Sequence, residues 1–458
     1  MTAGGTRAER PPVWCAELDL GGSLPAALEA PAGTAYATTR VLVRLHGFPL
    51  GYVSEQLADG SVEVPALLRL VQEKLLDEVN AHLTADGVDA VESVPLSGLA
   101  AASPGCPASF VPGTSVSVVV CTRDRGEPLR TCLTRLRALD HHAMEVLVVD
   151  NAPTDGAARA VFHDQVGDDA RFRYVLEPRP GLSCARNRGL AEASGEVIAY
   201  TDDDVSVDPK WVRALARAFA AEDVACVTGL VCTAAIDGPA ELYFDARVSW
   251  ADSCRPHVYR LGSDDDDGLF PYSAGIFGTG ANFAFRADVL RRLGGFDEAL
   301  GAGTRTAGGE DLDAFVRVLQ AGYALAYEPA AVVWHHHRSD LKGLRRQMYA
   351  YGTGLSAFLT KHLVDPRTRP EVLRRIPRGL AKLSAVPRAT THAIGEKASV
   401  RPHGFLLREL GGLVTGPLLY ARARRTVPAR APFHDGPAAL SAPGDGRCDC
   451  RSLTCACS

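Results

Sequence analysis

The chain has 458 residues, 22% of them charged, and a net charge of −5 at pH 7; this is more than one typical domain and enough to bury a core without disulfides. A slightly acidic balance excludes the phosphate-neutralising surface on which general nucleic-acid binding depends, so no nucleic-acid partner is expected. No apolar run reaches the roughly eighteen residues of a membrane-spanning helix, and the opening MTAGGTRAERPP lacks the hydrophobic stretch of a secretory signal, so the cytoplasm is the expected compartment.

Residues 1–112 read as a small N-terminal α/β accessory domain. VLVRLHGFPLGYV (41–53) sets two β-prone runs around a Gly/Pro turn, and PALLRLVQEKLLDEVNAHL (65–83) has helical periodicity. No catalytic constellation is visible there. SGLAAASPGCPASFVPGT (97–114) has the composition of a linker.

Between 113 and 340, short β-branched runs alternate with amphipathic segments: SVSVVVC (115–121), EVLVVD (145–150), FRYVLE (172–177), EVIAYTD (196–202) and VACVTGLV (224–231). Starts about 25 to 30 residues apart fit strand-helix-strand units and a mainly parallel sheet. Ligands of such sheets bind at the carboxyl ends of the strands. Those ends carry Thr122-Arg123-Asp124-Arg125, Asp150-Asn151 and Asp202-Asp203-Asp204, with GLSCARNRG (181–189) just before the last.

Together these groups describe a nucleoside diphosphate site. Thr122 and Asp150 suit the base and ribose, with Arg123, Asp124 and Asp203 assigned beside them. Arg186, at an expected helix start, suits phosphate. Asp202 and Asp204 leave their strand on alternate positions and can face one divalent cation while Asp203 points away from it. Three carboxylates after an apolar strand repel one another unless a cation offsets them. The run SDDDDG (263–268), by contrast, reads as solvated surface.

GGEDLDAFVRVLQAGY (308–323) reads as a helix with Leu312, Phe315, Val316 and Leu319 inward and Gly322 at C′. Glu310 and Asp311 then fall at its N-terminus, either as chemistry or as complements to the helix dipole. WHHHR (334–338) ends a further β-rich segment; His335 or His337 can complete a metal shell or contact the diphosphate, but alternation keeps at least one histidine of the run structural.

Residues 341–430 read as a helical, basic extension. Between Arg367 and Arg430 stand 14 Lys/Arg against three acidic residues, which suits either solvated helix faces or attachment to an anionic membrane surface or phosphorylated acceptor. The tail 431–458 holds Cys448, Cys450, Cys455 and Cys457, either as a disordered end or as a thiolate site for a soft metal.

Residues 115–338 resemble the family 2 glycosyltransferases of GT-A fold, through VVVCTRDR, VLVVDNAPTD, GLSCARNRGL, IAYTDDDV, GTGANFAFR, GGFDEALG and GGEDLD in that order. The resemblance implies a mainly parallel but mixed sheet flanked by helices, a UDP-, GDP- or dTDP-sugar donor and a hydroxyl acceptor. It also implies Mn²⁺ or Mg²⁺ on Asp202 and Asp204, and inversion with Asp311 as base and Glu310 positioning it or contacting the acceptor. GTGANFAFR is similar to the family's sugar and acceptor segment, which assigns Gly280 and Asn282 there together with Gly309; for Asn282 a turn-forming role stands equally open. RRQMYAYGTG (345–354) lacks the Trp of processive synthases, so non-processive transfer is expected. The alternative is a catalytically inactive carbohydrate-binding or scaffold protein on the same fold. A dehydrogenase is excluded, because CTRDRGEPL lacks G-x-G-x-x-G.

Overall fold

A computed structural model describes residues 12–110, 112–248, 253–262, 268–394 and 403–427. The acidic run 263–267 and the four tail cysteines lie outside the described residues.

The N-terminal unit contains β1 (Val13–Asp19), β2 (Ala27–Glu29), β3 (Thr38–Leu45), β4 (Phe48–Gln56), β5 (Ser61–Glu63), α1 (Val64–Lys74) and α2 (Leu76–Ala85). β3 and β4 form the expected hairpin across His46 (φ 56°) and Gly47 (φ 89°), the positive-φ pair that matches strand twist in a two-residue turn. The single helix expected over 65–83 is two, broken at Leu75, whose φ of −132° is not helical. Val41, Val43, Leu45, Leu67, Val71 and Val79 form this unit's own core.

The central domain runs through β6 (Val116–Thr122), α3 (Gly126–Arg137), β7 (Met144–Asn151), α4 (Ala157–Val166), β8 (Phe172–Glu177), α5 (Leu182–Glu192), β9 (Val197–Asp202) and β10 (Val205–Val207). It continues with α6 (Trp211–Ala218), β11 (Val224–Thr233), α7 (Pro239–Val248), β12 (His257–Tyr259), β13 (Asn282–Arg286), α8 (Ala287–Arg292), α9 (Glu310–Gln320) and β14 (Ala324–His335). The nine strands make one sheet in the order β10-β14-β11-β13-β9-β6-β7-β8, with β12 beside β14.

All five expected strands are present, and β8-β7-β6-β9 are parallel as their spacing implies. Beyond β9 the sheet turns mixed: β13 runs antiparallel to both β9 and β11, while β11 and β14 are parallel. Regular spacing could not reveal this, because β13 is reached through a long connection rather than a helical crossover. Val116, Val118, Val119 and Val120 are buried on both faces of β6, each contributing roughly 1.5–3 kcal/mol.

The N-terminal unit is seated on this sheet. Arg44 Nη1 donates to Asp208 Oδ2 at 2.6 Å, Arg40 grips Asp245, and Leu42 packs among Leu230, Cys232 and Val332.

The C-terminal extension is α10 (Leu341–Val364), α11 (Arg369–Ile394) and α12 (His403–Thr426). Asp340 caps α10 by accepting from Gly343 N at 2.6 Å. α12 lies so close to α10 that a Cβ on Gly352 would stand 2.0 Å from the Glu409 carbonyl oxygen. Among the described residues no helix is long and apolar enough to cross a membrane.

Candidate active site

The carboxyl ends of β7, β6 and β9 lie side by side in the sheet, and Arg186 links the last of them to the start of α9. At β9 the chain turns through Asp203 and Asp204 into β10, which pairs antiparallel with the end of β14 and sets Val205 opposite His335. One ligand atom each from Asp202, Asp204 and His335 therefore lies within 4.8 Å of the others. His335 Nε2 is 3.6 Å from Asp204 Oδ1. Two carboxylates and an imidazole suit a divalent cation of intermediate hardness, such as Mn²⁺.

The three acidic groups are held in different states. Burial pushes the Asp202 carboxyl up, against the pull of Arg186, and Asp204 and Asp203 raise it further. Burial likewise carries Asp203 up to about 6, opposed by Arg125. Asp204 lies below the usual range: burial opposes this, but His335 and Arg125 together outweigh it.

Asp203 turns back under β6, as alternation predicts. Thr122 Oγ1 donates to its Oδ2 at 2.7 Å and Arg125 Nη1 to its Oδ1 at 2.5 Å, while Arg125 Nη2 reaches Asp204 Oδ2 at 2.9 Å. Arg125 is thus the counter-charge of the acidic turn. The sequence offered it beside Arg123, which is exposed and 3.7 Å from Asp124. Asp124 itself, at φ 53°, accepts from the amide and hydroxyl of Thr154 and shapes the loop after β7.

Asp150 is fully buried at the end of β7. Tyr174 donates to its Oδ2 at 2.6 Å, but the buried Oδ1 has no partner, the condition in which an N–H donor from a ligand is most favoured.

Arg186 is buried on α5, with its guanidinium over the rings of Phe283 and Phe296. It donates to Glu310 Oε1 at 2.9 Å and to the Gly280 carbonyl at 2.8 Å, and stands 3.6 Å from Asp202 Oδ1. It joins the acidic strand end to the first turn of α9 and is not a free side chain at the strand ends.

α9 matches its expected pattern: Phe315, Val316 and Leu319 are fully buried, Leu312 is half-buried, and Gly322 (φ 86°) follows the C-cap Ala321. Gly309 precedes it at φ 90°, and a Cβ there would lie 2.5 Å from the Gly354 carbonyl oxygen of α10, so only glycine lets the helix start so near its neighbour. Burial raises the Glu310 carboxyl, with Asp311 adding to the rise and Arg186 opposing it; its Oε2 is buried without a partner. Asp311 accepts from Leu312 N at 2.8 Å, and its Oδ2 would be 3.0 Å from a Cβ on Gly280.

Two other sequence candidates are placed differently from this cluster. Asn282 is buried and engaged on all sides: Trp211 Nε1 donates to its Oδ1 at 2.8 Å, and its Nδ2 donates to the carbonyls of Leu230 and Ala331. His337 sits behind His335, ring nitrogens 3.0 Å apart, with its Nε2 3.0 Å from Thr233 Oγ1 and its ring against Phe244. Tyr351 of α10, absent from the sequence candidates, is near enough to Asp311 and Asp202 for their charges to add to the effect of burial on its phenol.

The sheet thus carries an acidic strand end that could hold a cation, an orphan carboxylate oxygen at the end of β7, and a carboxylate pair at the helix start that Arg186 ties to the acidic strand end. Residues 117–294 match the family described as Glycosyl transferase family 2. The pre-mycofactocin glycosyltransferase of Mycobacterium tuberculosis is 30% identical over 302 residues, 66% of this chain and 57% of that protein; the chain spans little more than half of that relative's length. The glucosyl-dolichyl phosphate glucuronosyltransferase of Haloferax volcanii is 26% identical over 227 residues, 48% of this chain and 68% of that protein. Among solved structures, a mannosyltransferase from Pyrobaculum calidifontis in complex with GDP-Man and Mn²⁺ aligns with a TM-score of 0.43 and 21% identity, over 70% of this chain and 88% of that one.

Proposed function

We propose that this protein transfers a sugar from a nucleoside diphosphate donor to an acceptor hydroxyl, with inversion and without processive elongation. The observation that carries this is the single guanidinium of Arg186, which spans the 202–204 strand end and the Glu310–Asp311 helix start.

In this reading Asp150 Oδ1 accepts from the nucleotide base, and the loop of Thr122, Arg123 and Asp124 borders it. Asp202, Asp204 and His335 would hold Mn²⁺ or Mg²⁺, which when bound takes up negative charge developing on the leaving diphosphate. Asp311 removes the acceptor hydroxyl's proton as that oxygen bonds to the anomeric carbon. The bond to the diphosphate oxygen breaks with its electron pair, on the opposite face. Glu310, clamped by Arg186, fixes the helix turn that carries Asp311.

Exposed Leu407, Val414 and Leu418 on α12, with Arg408, Arg422 and Arg425, and exposed Leu373, Ile376 and Leu380 on α11, with Arg374, Arg378 and Lys382, support peripheral contact of this region with an anionic membrane. Co-sedimentation with anionic but not zwitterionic vesicles, reversed by salt, tests that contact; equal binding to neither or both counts against it.

The transfer is tested with the full chain, Mn²⁺ and a panel of nucleotide sugars, measuring release of nucleoside diphosphate. Asp311→Asn should lower turnover by about 10²–10⁴-fold while leaving nucleotide affinity intact. Binding without release by the unaltered chain would favour the scaffold alternative, and undiminished turnover in Asp311→Asn would remove it as the base.

A further inference from the structure

The N-terminal unit brings four metal-ligating side chains to one buried point. His46 occupies the β3–β4 turn, His82 lies in the last turn of α2 and Asp86 caps that helix. Cys106 comes from the following loop, just before the 3₁₀ turn Pro107–Ser109. His46 Nδ1 is 3.1 Å from His82 Nε2 and 3.0 Å from Asp86 Oδ2. His82 Nε2 is 3.4 Å from the same Oδ2, and Cys106 Sγ is 3.6 Å from His46 Nδ1 and 4.0 Å from His82 Nε2. All four ligand atoms fall within 4.8 Å of one another.

The geometry points to a structural zinc site formed by His46, His82, Asp86 and Cys106. Zinc–ligand bonds of about 2.0–2.3 Å at tetrahedral angles put neighbouring ligand atoms about 3.3–3.6 Å apart, the scale of the separations found here.

Hydrogen bonding supports a cation at this point. His46 Nε2 lies 2.9 Å from the Ala100 carbonyl oxygen, which can only accept, so that nitrogen carries the hydrogen. In the neutral ring Nδ1 then turns a lone pair toward the carboxylate, the second imidazole and the sulfur, the outer hydrogen bond fixing the tautomer as it does for metal-bound histidine. A single proton can serve one pair of these four atoms; a central cation serves them all. Asp86 is only 8% exposed, and its other oxygen, Oδ1, is buried with no partner.

Charge and softness point the same way. One Zn²⁺, one carboxylate and one thiolate sum to neutrality, which removes most of the cost of burying each charge alone. A thiolate and two imidazoles favour zinc over Mg²⁺ or Mn²⁺, and four protein ligands leave no open position, the mark of a structural site. The ion would pin the hairpin turn, the end of α2 and the linker toward β6. That turn is already held by Asp19, whose carboxylate accepts from His46 N and Gly47 N, and Arg44 beside it anchors the unit to Asp208.

The test uses the full chain expressed with zinc in the medium. Elemental analysis should find about one zinc per chain. Cys106→Ser and His82→Ala should each reduce that content by about tenfold or more, while Asp204→Ala and a chain with Cys448, Cys450, Cys455 and Cys457 all changed to Ser should keep it. Circular dichroism and a cooperative thermal unfolding transition show whether each variant is folded. Independently of any variant, Co²⁺ exchanged into the unaltered chain should give the intense visible bands of a tetrahedral ion with a thiolate charge-transfer band. The proposal is overturned by a folded chain without zinc, by zinc retained in folded Cys106→Ser and His82→Ala, or by a cobalt spectrum lacking the thiolate band.

Discussion

Arg186 donates to Glu310 Oε1 at 2.9 Å from a position where only 2% of its side chain is exposed. The pair joins α5 to α9, and the same guanidinium is 3.6 Å from Asp202. It is the nearest cation compensating carboxylates from two distant parts of the chain.

Removing it should therefore damage fold and function together. Arg186→Met leaves Glu310 and Asp202 without compensation and should cost about 3–5 kcal/mol, the usual penalty for breaking a buried ion pair from one side. Urea unfolding measures the loss. If stability instead stays unchanged while only donor affinity falls, Arg186 acts on the phosphate and its bond to Glu310 is incidental.

Chelation should weaken donor binding. With the full chain, EDTA should weaken nucleoside diphosphate binding, and Asp204→Ala should weaken it by a similar factor without further loss on adding EDTA. Calorimetric titration reads both. A chelator-insensitive affinity would detach Asp202, Asp204 and His335 from the donor.

Asn282 discriminates a scaffold role from a sugar contact. Asn282→Ala leaves Trp211 Nε1 and the carbonyls of Leu230 and Ala331 without their partner, and each buried unpaired group costs about 1–3 kcal/mol. The expected result is a lower unfolding midpoint with little change in KM for the donor. An unaltered midpoint with raised KM would assign the residue to the sugar.

Asp313, fully buried in α9, is held by Lys361 Nζ at 2.7 Å, Arg317 Nε at 2.8 Å and His362. Although burial opposes it, Lys361 and then Arg317 hold its carboxyl well below the ordinary range. The sign follows: the stabilisation is complete above the unfolded carboxylate pKa of about 4 and is lost as pH falls toward the lower folded value. Asp313→Asn should destabilise the protein at neutral pH by about 3–5 kcal/mol and flatten the acid limb of its stability curve. Parallel acid limbs for the two proteins would show that the cluster carries no such linkage.

Much of this is legible in the sequence. β6, β7, β8, β9 and β11 fall where short β-branched runs end in polar residues, and α9 where the apolar stripe and Gly322 place it. Local sequence carries this because strand and helix periodicities are properties of neighbouring residues. What stayed hidden depends on partners far along the chain. Nothing near Asn282 announces that its amide fills the space between β11 and β14. His46, His82, Asp86 and Cys106 follow no short metal-binding spacing; only the His82–Asp86 pair, four apart on a helix, offered a local sign.

Sequence alone determined which residues could leave a strand as a metal pair, which could open a helix as an acid–base pair, and that the central region is built from strands and crossing helices. The tertiary structure decided which of them meet. β10 pairs with β14 and so carries His335, rather than His337, to Asp204; Arg186 faces inward to Glu310; and the linker returns Cys106 to the hairpin turn. The reason is physical: alternation and helical repeat fix the direction of a side chain relative to its own element, whereas distances between elements are set by strand pairing and close packing across the whole domain.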